Sequence, residues 1–307
     1  MTEILLTAVA AILAVYAETC RYGFISSGLP GAAIAVDSLR VTAVAVGALV
    51  FGGSNESIIG VLTVWISSSS VVVVISGICW RAYPSLLTSA IWLSRNRRQV
   101  SRFGLEYVAV SMSTQAATLV AYPILGGVGM AAIRGSQLLY SPYNVLLNGA
   151  RIAYIPHLRG KYEDRPIPRL KLEFQLALSA AVFAIVIVLI GDSIGESILG
   201  DSWQFAEPLI PLTALQYVLL AWYWGLVIRF RVSLLEGSSS LMRAVFSIAT
   251  LVFPVVGALT LGAIGVVIGF SVAAASAIVA GEICLSLANR SAKLRTIRDT
   301  RSETAQT

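Results

Sequence analysis

The chain has 307 residues, of which 57% are hydrophobic and only 12% are charged. Soluble domains carry about 25% charged residues, so this composition excludes an ordinary soluble protein and is typical of a membrane protein with several spans. The formal net charge is +6, but the lysines and arginines lie mostly in a few segments between apolar stretches and in the tail. Membrane topology explains that placement better than nucleic-acid binding does.

Apolar stretches close to the ~20 residues that cross a bilayer predict an all-α polytopic membrane protein. About nine helices are expected, three before a basic segment and six after it. Their approximate bounds are Ile4–Glu18, Gly31–Phe51, Ile58–Ile78, Leu105–Leu125, Met130–Ile155, Phe174–Ile190, Pro208–Ile228, Ser240–Ala258 and Ala263–Leu287.

The basic segment Trp80–Phe103 fixes the expected orientation. It carries five arginines and no acidic residue, and basic loops beside membrane helices stay in the cytoplasm. Its front half, up to Trp92, predicts a short amphipathic helix on the inner leaflet. With this segment inside, the other basic loops and the tail also fall inside, whereas the loops on the opposite side contain no Lys or Arg. The sequence thus predicts a multi-pass protein of the plasma (inner) membrane, with Met1 outside and Thr307 in the cytoplasm.

Two segments of the chain resemble each other, which predicts an internal repeat. They read CRYGFISSGLPGAAIAVDSLRVTAVAVGALVF and FRVSLLEGSSSLMRAVFSIATLVFPVVGALTL. In each, a helix ends at an arginine, a Ser/Gly turn follows, and the next helix contains an arginine and ends in V-G-A-L. The last three helices therefore look like a copy of the first three in the same orientation. Parallel repeats in a membrane protein point to a transporter with a site between its halves.

Charged residues inside the predicted spans are candidates for function, since each costs about 2.5–3.5 kcal/mol on insertion scales. Arg40 lies about ten residues, or ~15 Å, into its helix, and Asp37 is one turn earlier on the same face. Either the two form a self-contained ion pair that serves packing, or Arg40 lines a cavity and exchanges its partner. Glu282 in the last helix either snorkels or takes part in proton coupling.

The fifth predicted helix carries a polar stripe between Arg134 near its outer end and Arg151 near its inner end. The stripe either bonds neighbouring helices or lines a wet cavity, and Pro142 is expected to bend the helix. Its other polar members and their neighbours are Gln137, Tyr140, Tyr143, Asn144 and Asn148. Arg243 lies near the start of the eighth helix, and Arg21 at a cytoplasmic helix end where snorkelling accounts for it.

Nothing in the sequence predicts an enzyme, a metal site or a cofactor. Cys20, Cys79 and Cys284 lack metal-type spacing, and His157 is the only histidine. No catalytic motif occurs in a plausible context.

Three stretches resemble polysaccharide-type flippases of the multidrug/oligosaccharidyl-lipid/polysaccharide exporter superfamily. They are CRYGFISSGLPGAAIAVDSLRV, GGVGMAAIRGSQLLYSPYNVLLNGARIAYIPHL and ILGDSWQFAEPLIPLTALQ. The resemblance implies two six-helix lobes joined by a basic cytoplasmic linker. It also implies export of a lipid-linked oligosaccharide or polysaccharide precursor by alternating access, coupled to an ion gradient. The implied partners are this glycan substrate, membrane lipids and other glycan-assembly proteins, and not nucleic acid.

The resemblance also assigns roles to the candidate residues. Arginines suit an anionic diphosphate or acidic sugar because they offer forked donors that remain charged. The expected arginine set is Arg40, Arg134 and Arg151, followed by Arg21 and Arg243. Sugar hydroxyls are assigned to Tyr140, Tyr143, Asn144 and Asn148, and ion coupling to Asp37 and Glu282.

The expected domains are an incomplete first lobe (1–79), the linker (80–103), a complete second lobe (104–289) and a cytoplasmic tail (290–307). The first three helices of the first lobe are expected to be missing from this chain, through truncation or because a partner chain supplies them. Two other functions stay open. One is a drug or small-metabolite antiporter of the same superfamily, and the other is a non-transporting scaffold within a glycan-assembly complex.

Overall fold

A computed structural model of the chain describes residues 2–26, 31–32, 34–39, 42, 46, 58–80, 86–161, 171–233 and 236–304. For some of the helical residues it describes the backbone alone. Within these ranges the chain is helical almost throughout and contains no strand. The predicted all-α fold is confirmed.

Ten α-helices are found within the described ranges. They are α1 (Thr2–Ser26), α2 (Ile58–Trp80), α3 (Leu86–Arg95), α4 (Arg97–Leu139), α5 (Ser141–Lys161), α6 (Lys171–Val188), α7 (Asp192–Leu199), α8 (Trp203–Ala206), α9 (Ile210–Val232) and α10 (Glu236–Thr304). Short 3₁₀ turns, Gly200–Ser202 and Glu207–Leu209, flank α8.

Four helical stretches within the described residues are long and apolar enough to cross a membrane. They are Gly104–Leu139, Lys171–Val188, Asp192–Val232 and Gly237–Leu287. Shorter apolar stretches occur at Leu5–Cys20 and Thr63–Ile75. The chain is therefore an all-α polytopic membrane protein. Most of the predicted second span, Gly31–Phe51, lies outside the described residues.

Two of the long helices are bent at glycines, and the bends divide them into the separate spans that the sequence predicts. Gly126 in α4 has φ 68° and ψ −176°, and Gly262 in α10 has φ 62° and ψ −138°. Residues with a Cβ are strongly disfavoured at such torsions. Beyond Gly262 the second half of α10 packs closely on the first half. The two backbones approach so closely at Gly257 and Gly265 that a Cβ added to either glycine would overlap the backbone of its partner.

Several predicted boundaries need correction. The first helix continues to Ser26, so Arg21 lies inside it and not at its end. The predicted span Met130–Ile155 is interrupted at Tyr140, between α4 and α5, because Pro142 suits a first helical turn but not a helix interior. The residues expected to form a polar tail continue α10 as a helix to Thr304. The predicted helix in the basic segment is confirmed as α3.

The chain forms two compact units, Met1–Arg97 and Arg98–Thr307, called unit 1 and unit 2 below. In unit 1, α1 packs against α2. Their shared core includes Ala17, Phe24 and Val72.

The centre of unit 2 is α9, which packs against α5, α6 and α10. One core cluster joins α5, α6 and α9, and another joins α9 to both halves of α10. A third cluster joins α4 to α10 on either side of their bends. Because α9 is enclosed by three partners, its residues from Gly225 to Phe230 are all buried, including Arg229.

The outer faces of unit 2 are apolar. On α6, Leu178, Val182 and Ile185 are each more than half exposed, and so are Leu119 on α4 and Leu259 on α10. Apolar surface on this scale is a liability in water but fits contact with lipid chains. The burial pattern thus agrees with the composition in indicating a membrane environment.

Candidate functional site

Unit 2 contains an open cavity of about 580 Å³, called the outer pocket below because the sequence predicts that this end faces outside. Its volume is typical of small-molecule sites, which measure about 300–1,000 Å³. The cavity lies between the second half of α4, the start of α5, the end of α7 and α9. Its lining residues are Ala131, Arg134, Gly135, Gln137, Leu138, Ser141, Asn144, Ile198, Leu199, Ser202 and Tyr217.

Arg134 is the cationic side chain of the outer pocket. It lies eight residues beyond the bend at Gly126, which is about 12 Å along the helix. Its Nη2 donates a hydrogen bond to Oε1 of Gln115 at 3.3 Å, so a residue before the bend holds the guanidinium. The side chain is exposed, which leaves its other donors accessible to a ligand.

Asn144 provides an amide on the opposite wall. Its Nδ2 donates to the hydroxyl of Tyr217 at 3.0 Å, and the Tyr217 ring stacks on Tyr140 with centroids 4.7 Å apart. The second helix contributing to this wall, α9, is therefore tied to α5 by both a hydrogen bond and a ring stack. The pocket combines a cation, two amides and an aromatic ring.

The wall formed by α7 is held by Trp203. The Trp203 Nε1 donates to Oδ1 of Asp192 at 3.1 Å, and the indole packs on Gly195, where a Cβ would overlap the ring. The segment between the predicted spans Phe174–Ile190 and Pro208–Ile228 is mostly helical, and part of it lines the site.

The two predicted tyrosines are core residues. Tyr140 is fully buried and its hydroxyl donates to the carbonyl oxygen of Ile210 at 3.4 Å. The Tyr143 hydroxyl donates to the carbonyl oxygen of Leu176 at 2.8 Å. Neither residue lines the outer pocket. Asn148 lies further along α5 and is exposed.

The roles predicted for four other residues are not tested by the described part of the chain. Arg40 lies outside the described residues. Arg21 and Arg151 lie on α1 and α5, but their side chains are outside the described part of the chain. Asp37, in unit 1, is half-buried. Their assigned roles stay predictions.

Two ion pairs inside unit 2 were not expected from the sequence. Nη1 of Arg229 lies 3.2 Å from Oε1 of Glu173, with 7% and 0% of the side chains exposed. Nη1 of Arg243 lies 3.0 Å from Oε2 of Glu106, and the side chains are 9% and 13% exposed. Ser240 donates a short hydrogen bond to the other oxygen of Glu106. Although Arg229 lies in the last turn of α9, it is buried and paired.

The first of these pairs depends on a close helix contact. A Cβ at Gly225 would lie 2.7 Å from the Cα of Glu173, so only a glycine lets α9 approach α6 this closely. Glu106 lies in the first turn of a predicted span and Glu173 directly precedes another, and this position is the one sequence signal that could have identified them. The glycine contact between distant segments has no such signal.

Both ion pairs lie at the end of unit 2 that is opposite the outer pocket. Glu106 and Arg243 lie near the beginnings of their spans, Glu173 is in the first turn of α6, and Arg229 is in the last turn of α9. The outer pocket is formed where α5 begins and where α7 and α8 connect α6 to α9. Unit 2 thus has the outer pocket at one end and two buried ion pairs at the other.

Glu282, on the second half of α10, is half-buried. Its Oε1 atom is buried and has no hydrogen-bond partner among the described residues. Among all the described residues, no three His, Cys, Asp or Glu side chains are grouped so that they could hold a metal ion.

Comparison with known proteins finds no matching family model, no matching curated protein and no matching solved structure. A function therefore has to be argued from the residues and their geometry.

Proposed function

We propose that this protein is a membrane transporter that exports lipid-linked oligosaccharide or polysaccharide precursors by alternating access, driven by an ion gradient. The observation that carries the proposal is the outer pocket, an open cavity of a membrane-spanning unit whose lining includes a cation and two amides. Polar side chains in such a cavity are costly to maintain in lipid surroundings, because each polar group must find a partner there. Their presence is typical of a substrate path.

The chemistry of the pocket fits a glycan attached to a diphosphate. Arg134 offers charged, forked donors for a phosphate or an acidic sugar. The amides of Gln137 and Asn144 can both donate and accept, as sugar hydroxyls require. Tyr217 adds an aromatic surface. The described lining includes no carboxylate, which favours an anionic cargo over the cationic cargo that many drug antiporters would carry.

The two ion pairs at the end of unit 2 away from the pocket support alternating access. A transporter opens its site to one side of the membrane at a time. The Arg229–Glu173 pair joins α9 to α6, and the Arg243–Glu106 pair joins α10 to α4. Unit 2 accordingly has an open pocket at one end and ion pairs between its helices at the other, an arrangement that suits one state of such a cycle.

The lipid part of the substrate needs no protein cavity. The exposed apolar faces of α4, α6 and α10 are suited to direct contact with the surrounding bilayer. A polyprenyl tail can therefore remain in the membrane while its polar head enters the pocket. The plasma membrane, with the basic segments in the cytoplasm, is the proposed location, and other glycan-assembly proteins are the proposed partners.

The test is transport by the purified full chain in proteoliposomes, with a fluorescent polyprenyl-diphosphate saccharide as substrate. Arg134→Gln removes a charge-assisted contact worth about 1.5–3 kcal/mol, so we expect transport about 10- to 150-fold slower. Arg98→Gln, an exposed arginine far from the pocket in sequence, is the matched control and should transport normally. Absence of transport by the wild-type chain, or an unchanged rate in Arg134→Gln, would contradict the proposal.

A further inference from the structure

Arg134 differs from the two buried arginines that the structure describes in unit 2, because its partner carries no charge. Arg229 and Arg243 each lie within 3.2 Å of a glutamate oxygen, and the carboxylate balances the charge of the arginine. The partner of Arg134 is the amide oxygen of Gln115, at 3.3 Å. Since a guanidinium in a protein does not lose its proton, Arg134 brings a full positive charge to the outer pocket.

Gln115 fixes the position of that charge. It lies on α4 eleven residues before the bend at Gly126, whereas Arg134 lies eight residues after the bend. The hydrogen bond therefore joins the two halves of the bent helix. It uses a single N–H of the guanidinium, so at least one two-pronged edge of this planar group is left for two oxygens of a ligand.

The wall opposite Arg134 offers both an acceptor and a donor. Asn144 Nδ2 donates to the hydroxyl oxygen of Tyr217 at 3.0 Å. This bond leaves Asn144 Oδ1 as an acceptor and the Tyr217 O–H as a donor, and both residues line the pocket. Sugar hydroxyls donate and accept at the same atom, so the pair suits a saccharide ring.

The charge of the pocket matches one carboxylate. Arg134 is positive, and every other residue of the described lining is uncharged. A single bound carboxylate brings the total charge to zero. The diphosphate that joins a glycan to its lipid has an ionised oxygen on each phosphate, so it would leave an excess negative charge, which is unfavourable wherever water is partly excluded.

We infer that the outer pocket receives a saccharide unit that carries one carboxylate, such as a hexuronate, and that Gln115 is the positioning residue that keeps Arg134 both in place and charged for it. The carboxylate pairs with Arg134, ring hydroxyls bond to Asn144 and Tyr217, and the diphosphate stays outside the pocket. This inference rests on the proposed function, because it names the class of glycan that is exported.

The test is a ligand-detected NMR titration of the purified full chain in nanodiscs at pH 7, a method that resolves weak sugar binding. The probes are methyl glucuronide and methyl glucuronamide, which have nearly the same shape but differ in charge, and dimethyl diphosphate. We expect the glucuronide to bind about 10- to 150-fold more tightly than the amide, as a charge-assisted pair provides. It should also bind more tightly than dimethyl diphosphate.

The variants at Gln115 are the sharpest measure of its role. Gln115→Glu keeps the shape of the side chain but gives Arg134 a carboxylate partner, so the glucuronide should lose its advantage while the amide still binds. Gln115→Leu keeps the charge of Arg134 but removes its holder, so the advantage should fall about 3- to 10-fold. Gln175→Glu, at an exposed glutamine of α6 outside the lining, is the matched control and should leave both affinities unchanged.

The ratio of the two sugar affinities separates this role from a structural one, because a damaged fold would weaken both probes alike. The inference is overturned if the wild-type chain binds the glucuronide no better than the amide, or if it binds dimethyl diphosphate more tightly than the glucuronide. It is also overturned if Gln115→Glu keeps the wild-type ratio.

Transport in proteoliposomes distinguishes this inference from the proposed function. Two lipid-linked substrates are compared that differ only in a terminal glucuronate or glucose. Faster transport of the glucuronate lipid is expected, and equal transport of the two lipids would overturn this inference alone. Selective binding of the glucuronide without transport of either lipid would uphold the carboxylate site and contradict the proposed function.

Discussion

The buried pair between Glu173 and Arg229 allows a quantitative prediction about stability. An exposed ion pair contributes about 0–1 kcal/mol, but these side chains are 0% and 7% exposed. Glu173→Leu would leave a buried guanidinium that cannot lose its proton, at a cost of about 3–5 kcal/mol. Arg229→Met should cost less than Glu173→Leu, because a stranded carboxylate can take up a proton.

The double variant Glu173→Leu/Arg229→Met separates charge from packing. Replacing a buried ion pair with apolar side chains of similar volume is often neutral or stabilising, so we expect it within about 1 kcal/mol of the wild type. The assay is reversible unfolding of the purified chain by SDS in mixed micelles, with all four proteins compared in one cycle. Single variants within 0.5 kcal/mol of the wild type, or a double variant as unstable as Glu173→Leu, would refute a buried and electrostatically coupled pair.

Two further predictions concern the bends and the orientation. Gly126→Ala should destabilise the protein by about 1–3 kcal/mol because of the backbone torsions alone, since nothing lies within 4 Å of an added Cβ. Gly127 has helical torsions, so Gly127→Ala should be neutral or stabilising. Equal effects of the two substitutions in the same unfolding assay would contradict this prediction. The orientation is tested with single cysteines at the exposed positions Ser197 and Ser101. In intact cells, a membrane-impermeant thiol reagent should label Ser197→Cys but not Ser101→Cys. Labelling of Ser101→Cys alone would reverse the predicted topology.

The sequence predicted which helix would contribute to the candidate site, but not which of its side chains line the pocket. The stripe on the fifth predicted span placed Arg134 and Asn144 on one face, and both line the outer pocket. Tyr140 and Tyr143, named as candidates because they lie between the same two arginines, are buried in the core. Periodicity identifies a face of a helix, yet the neighbouring helices decide whether each position on that face meets a cavity or a packed side chain.

By itself, the sequence determined that this protein is an all-α membrane protein, because bilayer crossing demands long apolar helices that composition and length reveal. It also located the bends of α4 and α10 to within a few residues, since local glycines set them. Only the tertiary structure decided which charges are paired. The contacts of Glu106 with Arg243 and of Glu173 with Arg229 join residues 137 and 56 positions apart. Such pairs depend on how closely two helices approach, as Gly225 allows for α6 and α9, and that distance is fixed by packing across the whole unit.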